Sequence, residues 1–82
     1  MKIINHPSII QASAVKIVDG CAPTRLVIRD EGGYHPYVVH KESMAIEGNE
    51  LVHQDFYDGH YYHSLEAAKR DFNERTSGAY SI

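Results

Sequence analysis

This 82-residue sequence has little cysteine, little net charge and no long apolar run. Its single cysteine, Cys21, cannot form an internal disulfide, so packing alone must hold the fold, as in proteins of a reducing compartment. No apolar stretch approaches the ~20 residues that a transmembrane helix needs. Residues 1–7 lack the apolar centre of a secretory signal. The sequence therefore predicts a soluble, cytoplasmic protein without a membrane partner.

The net charge of −3 argues against broad electrostatic binding to nucleic-acid phosphates. Charge is nevertheless unevenly distributed along the chain. Residues 1–29 carry four basic side chains and one acidic side chain, whereas residues 42–68 carry six carboxylates and no lysine or arginine. The middle of the chain is therefore acidic, and a basic partner is favoured over an acidic one.

The composition is that of a folded protein, with 43% hydrophobic and 23% charged residues. A chain of this length buries only about 60 to 65% of the surface that its unfolded form exposes, which limits it to one core. We therefore expect a single domain over residues 1–82, and no motif in it indicates a cofactor.

The strongest local pattern predicts a C-terminal helix that begins at Ser64. The Ser64 hydroxyl is suited to accept a hydrogen bond from a free amide of the first turn. Leu65, Ala68 and Phe72 recur at helical spacing and form one narrow apolar stripe. The helix is expected to end at Gly78. Because the stripe is narrow, this helix is expected to lie on a sheet.

Upstream of the helix, alternating patterns predict strands. Residues 24–29 place Leu26 and Ile28 on one face, and a glycine-containing turn at 30–33 leads to a second strand over 34–41, so these segments are expected to form a hairpin. The remaining assignments are a strand over residues 12–18 with Val15 and Ile17 inward, helix over 8–18 as its alternative, an edge strand over 2–5 and a loop over 42–50. The predicted fold is α+β: an antiparallel meander of three to five strands packed against one C-terminal α-helix.

Residues 51–63 concentrate three of the six histidines and three of the six tyrosines. Asp58-Gly59 is a two-residue hairpin signal, because a type I′ turn needs positive φ at both central positions. Such a hairpin would place Val52, Phe56 and Tyr61 on the core face. One continuous strand through Gly59 is the competing geometry.

The opposite face of this predicted hairpin is polar, aromatic and acidic, and it is the candidate surface for a protein partner. Tyrosine supplies a large rigid contact area, and neighbouring carboxylates favour a basic partner. The predicted binding residues are Asp55, Tyr57, Asp58, His60 and Tyr62. An ordinary solvated sheet face is the simpler interpretation of the same pattern. His35 and His40 are interpreted as a turn residue and as strand surface, without a function.

Two alternatives belong to other classes. A small hydrolase or metal-dependent enzyme would use His53, Asp55 and His60, although no nucleophile motif or metal-binding spacing accompanies them, and we assign no catalytic residue and no metal site. A nucleic-acid-binding protein would use the basic residues of the first third of the chain. Those residues are Lys2, Lys16, Arg25 and Arg29.

Residues 59–68, followed by Asp71, Phe72 and Arg75, resemble the C-terminal part of many short orphan proteins of bacteriophages and mobile elements, in which an aromatic strand leads into a capped helix. Residues 35–40 share this character. The resemblance implies the fold and a phage or bacterial setting, and it carries over no catalytic residue. Together these observations favour a small non-enzymatic interaction protein that binds a host or defence protein, or a second copy of itself.

Overall fold

In the computed structural model, which describes residues 1–77, five strands form one curled sheet and a single helix packs on it. The elements are β1 (Lys2–Ile3), β2 (Ile9–Ala12), β3 (Thr24–Asp30), β4 (Tyr37–Glu47), β5 (Glu50–Tyr62) and α1 (Leu65–Arg75). The strand order is β1-β5-β4-β3-β2. The α+β class is confirmed, but the antiparallel meander is wrong in one respect, because β1 runs parallel to β5.

Strands β4 and β5 form a long hairpin around Gly48 and Asn49. Glu47 pairs with Glu50, so the turn has two residues, and Gly48 has a φ of 61° that suits the first central position of a II′-type turn. The loop predicted over residues 42–50 is therefore wrong over most of its length. Glu42 and Met44 both point inward from β4 and are fully buried.

Strand β5 continues through Asp58 and Gly59, so the hairpin predicted there is wrong. The register with β4 shifts between the Val39–His60 and Lys41–Tyr57 pairs, which leaves one extra residue in β5. Asp58 has a φ of 63°, whereas Gly59 has no positive φ. The Asp-Gly pair thus forms a bulge, because only one of the two positive φ angles of a type I′ turn is present.

One side of the sheet, here called the helix face, is covered by α1. Leu26, Ile28 and Val39 of the sheet and Ala68 and Phe72 of the helix form its buried cluster. The predicted cap is confirmed, because the Ser64 hydroxyl accepts the amide of residue 67 at 3.1 Å. The stop predicted at Gly78 lies outside the described residues. No helix within residues 1–77 is long and apolar enough to cross a membrane.

The other side, here called the strap face, is crossed by the N-terminal segment. Strands β1 and β2 lie at opposite edges of the sheet although they are consecutive in the chain, so residues 4–8, the strap, pass over the sheet between them. Val27, Val38 and Met44 are fully buried on this face. Both faces of β3 are therefore covered, which the alternation of residues 24–29 does not reveal.

The N-terminal strands differ from expectation mainly in their bounds. The edge strand predicted over residues 2–5 is confirmed at Lys2–Ile3. A strand was predicted over residues 12–18, but β2 ends at Ala12. Residues 13–18 contribute one isolated bridge, from Lys16 to Thr24. The helical alternative for residues 8–18 is wrong. Ile17, expected inward, is 62% exposed.

Candidate functional site

Three of the predicted binding residues are exposed on the middle of β5. Asp55 and Tyr57 lie on the helix face, and Asp58 occupies the bulge. The Asp58 carboxylate lies 3.2 Å from the Lys41 ammonium, which itself lies 5.9 Å from the centre of the Tyr57 ring. These contacts form an exposed patch of one aromatic ring, two carboxylates and one ammonium group.

The other two predicted residues, His60 and Tyr62, are held by the helix. The Tyr62 hydroxyl donates a hydrogen bond of 2.7 Å to the Asp71 carboxylate, and His60 Nδ1 lies 3.1 Å from the same oxygen. Burial, assisted by this hydrogen bond, raises the pKa of Tyr62 to about 12. The expectation that the candidate surface lies on the face opposite the helix is wrong, because Asp55, Tyr57, His60 and Tyr62 all lie on the helix face. Tyr62 packs against the core beneath α1, whereas His60 stays exposed.

The outer edge of β5 has no strand neighbour for most of its length in the described part of the chain. Strand β1 pairs only with Glu50 and Leu51, and the strap then leaves the edge to cross the sheet. Residues 52–62, here called the β5 edge, are paired with β4 on one side alone. An edge of this kind presents backbone donors and acceptors to which another extended segment can pair.

Two exposed tyrosines flank this edge from opposite faces. Tyr57 is 42% exposed on the helix face, and Tyr61, which was not among the predicted binding residues, is 56% exposed on the strap face. Successive side chains of a strand point to opposite sides, so a segment added to the β5 edge would meet one tyrosine above it and one below it. The sequence assigned Tyr61 to the core face, and this assignment is wrong, because Tyr61 is the second exposed tyrosine of the edge.

The residues of the hydrolase or metal alternative are not brought together. Asp55 and His60 lie on the helix face, whereas His53 projects from the strap face. Within residues 1–77 no group of three histidine, cysteine, aspartate or glutamate side chains is placed to hold a metal ion. His53 Nδ1 instead lies 2.9 Å from a carboxylate oxygen of Glu42.

Glu42 is the centre of a buried polar cluster that the sequence did not indicate. Its side chain is fully buried, one carboxylate oxygen lies 2.6 Å from Arg25 Nε, and the other contacts His53. Arg25 is 3% exposed and also donates to the Asn5 side chain at 2.8 Å. This arginine is therefore engaged within the fold, which removes it from the basic surface considered for nucleic acid.

The strap closes over this cluster through His6 and Ser8. Ser8 Oγ accepts a hydrogen bond from Arg29 Nε at 2.7 Å, so its own proton is directed to His6 Nδ1, also at 2.7 Å. The Ser8 amide donates to the same nitrogen at 3.2 Å. The neutral His6 ring thus carries its proton on Nε2. These contacts fasten the strap to β3.

Phe56 forms the aromatic centre of the strap face. The Arg29 guanidinium lies 4.0 Å from its ring centre, and the His40 ring is stacked parallel to it at 4.6 Å. His40 is 5% exposed, so its assignment to the strand surface is wrong. Burial, together with the positive charge of Arg29, lowers the pKa of His40 to about 4.

Sequence patterns give little warning of this cluster. The strap, β3, β4 and β5 each contribute a polar residue, and only the three-dimensional register places those residues side by side. The one available signal is positional: in a strand, His40 and Glu42 share a face with Val38 and Met44.

When compared with protein-family models, curated proteins and solved structures, the chain matches none of them.

Proposed function

We propose that this protein is a small non-enzymatic interaction module that binds an extended segment of another protein along the β5 edge. The observation that carries the proposal is that, within residues 1–77, residues 52–62 pair with β4 on one side alone, which leaves backbone donors and acceptors facing outward. Main-chain hydrogen bonds supply affinity in this mode of recognition, and side chains on either face supply specificity.

The charge of the edge favours a basic partner segment. Asp55 and Asp58 are exposed on β5, and no lysine or arginine occurs in this strand. Lys41, from β4, offsets only one of these carboxylates. A partner strand that carries lysine or arginine beside apolar residues would contact the carboxylates and the two flanking tyrosines together.

The bulge at Asp58 limits which segments pair with the edge. A bulge twists an edge strand and interrupts its regular ladder, which is a common protection against indiscriminate pairing. A partner segment is therefore expected to pair with β5 in a single register, which is set by the position of the bulge at Asp58. A host or defence protein of a phage or bacterial setting is the proposed partner, and cytoplasmic location is proposed on the basis of the exposed, unpaired Cys21.

The test uses peptides selected from a random displayed library against the intact protein. We expect the selected peptides to be extended and basic, and to protect amides of residues 52–62 from hydrogen exchange. The double variant Tyr57→Ala/Tyr61→Ala should weaken their binding at least about tenfold, because buried tyrosines are frequent binding hot spots. Ile17→Ala is the control, since Ile17 is 62% exposed and lies between β2 and β3, across the sheet from β5.

Peptides that bind the double variant as tightly as the wild type, or that protect amides elsewhere, would contradict the proposal. A second copy of the chain is the other occupant of the same edge. Light scattering distinguishes it, because a concentration-dependent dimer that the double variant abolishes would assign the edge to self-association.

A further inference from the structure

Two exposed histidine rings meet where the loop between β3 and β4 touches the start of α1. His35 belongs to that loop, and His63 lies between the end of β5 and the helix cap at Ser64. Their ring centres are 3.8 Å apart, and the ring planes are inclined by 40°. The Tyr34 ring stands edge-on to both, at 4.7 Å from His35 and 4.5 Å from His63. The pair is therefore formed by segments that are distant in sequence.

The hydrogen bonding of His63 fixes which of its nitrogens is free. His63 Nδ1 lies 3.0 Å from the carbonyl oxygen of Tyr34. A carbonyl only accepts hydrogen bonds, so Nδ1 carries the proton and Nε2 of the neutral ring carries an open lone pair. Metal-binding histidines are usually oriented in this way, with one nitrogen donating to a carbonyl or carboxylate and the other facing the ion.

His35 has no competing partner. Neither of its ring nitrogens forms a hydrogen bond with any of residues 1–77, and its side chain is exposed. Among residues 1–77, its ring packs against those of Tyr34 and His63. Both imidazoles can thus offer a lone pair to the same ligand without breaking a hydrogen bond of the fold.

We propose that His35 and His63 form a two-imidazole site for a divalent transition-metal ion of the Zn²⁺, Ni²⁺ or Cu²⁺ class. Nitrogens at about 2.05 Å from a tetrahedral ion place the two ring centres roughly 5 Å apart. The rings, whose centres are 3.8 Å apart, must therefore move apart by rotation of these exposed side chains to admit the ion. Imidazole is a preferred ligand of these ions, whereas Mg²⁺ and Ca²⁺ prefer oxygen. Water completes the coordination, since residues 1–77 supply no third ligand.

Metal binding at this site would join the β3–β4 loop to the beginning of the helix. The loop contains Gly32 and Gly33 with φ angles of 74° and 84°, so it adopts a conformation that depends on glycine. Holding His35 against His63 would restrict this loop without involving the β5 edge. The site is thus independent of the proposed function.

The test is a zinc chloride titration of the intact protein, monitored by calorimetry and by NMR of the imidazole nitrogens. We expect His35 and His63 to respond together at one equivalent of zinc, with Nε2 of His63 as the coordinated atom. His35→Asn and His63→Asn should each weaken zinc binding at least about tenfold, because the second ligand acts at high effective concentration once the first is bound.

His60→Asn is the matched control, since His60 is also exposed, lies three positions from His63 and should not affect zinc affinity. Wild-type affinity in either His35→Asn or His63→Asn would overturn the proposal. A zinc response that begins at any other histidine of the wild-type protein would overturn it as well, and this readout does not depend on the folding of a variant.

Discussion

Acidification should destabilise the protein through His40. The ring is 5% exposed, is stacked on Phe56, and has Nε2 at 3.4 Å from Arg29 Nη1. An arginine only donates, so Nε2 accepts this hydrogen bond and must be unprotonated. Protonation would remove the acceptor and place a buried positive charge beside Arg29. The carboxylates of Glu31 and Glu42 favour the charged ring, but burial and Arg29 outweigh them.

The size of the effect follows from the pKa difference between the folded and unfolded states. His40 has a pKa of about 4 in the folded protein, against 6.5 for the unperturbed side chain. Between these values the unfolded chain binds a proton that the folded chain does not, so stability falls as the pH falls. Each pH unit corresponds to about 1.4 kcal/mol, and this single group should therefore cost about 3 kcal/mol between pH 7 and pH 4.

Urea unfolding at pH 7, 5.5 and 4 measures this contribution when wild type and His40→Gln are compared. Glutamine retains an acceptor for Arg29 but does not titrate. The variant should be less stable than the wild type at pH 7, because it loses the stack on Phe56. Between pH 7 and pH 4 its free energy of unfolding should fall by about 3 kcal/mol less than that of the wild type. Contributions of the other histidines and of the carboxylates cancel in this difference.

Equal acid sensitivity of the two proteins would refute the reasoning. It would mean that the folded His40 ring takes up a proton as readily as the unfolded one, and hence that the ring is not held neutral by burial and Arg29. A direct NMR titration of the His40 ring in the folded protein gives the same answer independently.

Three further substitutions test the packing around the candidate site. Glu42→Gln should lower the free energy of unfolding by about 3 kcal/mol, as urea unfolding would show, because it leaves the buried Arg25 without its counter-charge. In thermal unfolding, Asp58→Gly should raise the free energy of unfolding by about 1 kcal/mol, whereas Asp58→Val should lower it by a similar amount. Glycine adopts a φ of 63° without strain, and the β-branched valine does not. Asp71→Asn should move the pKa of Tyr62 from about 12 towards 10, measured by the ultraviolet absorbance of tyrosinate; an unchanged value would assign the whole shift to burial.

The C-terminal helix could be predicted because every determinant is local. Ser64 provides the cap, and Leu65, Ala68 and Phe72 lie within two turns of one another, so no distant contact is needed to define the element. Strand β3 was predicted almost to the residue for the same reason, from its alternation and the turn chemistry that follows it.

The path of β5 could not be decided from local chemistry. Asp-Gly readily adopts positive φ, and both a hairpin turn and a bulge use that property. Pairing with β4 decides the outcome, because the hairpin at Gly48 aligns the two strands, and β5 accommodates its two extra residues as register shifts, the second of them at Asp58. The bulge keeps His60 and Tyr62 on the same side of the sheet as Asp55 and Tyr57, and the helix packs on this side, which explains why part of the predicted surface is covered.

The strap face was unpredictable for a different reason. His6, Ser8, Arg29 and Glu42 each have an unremarkable local context, and their hydrogen bonds join residues that are 11 to 21 positions apart in sequence, apart from the local His6–Ser8 contact. Long-range polar contacts have no periodic signature, so the sequence shows only that polar residues alternate with apolar ones.

The parallel pairing of β1 with β5 sets the order in which the fold is completed. Lys2 is 48 residues away from Glu50, its partner, so this contact carries a larger loop-closure cost than any hairpin in the sheet. The hairpin of β4 and β5 and its pairing with β3 are expected to form first, and the strap to dock afterwards. The strap is then also the segment that opens first under native conditions, and each opening brings water to the Arg25–Glu42 pair before the rest of the domain unfolds.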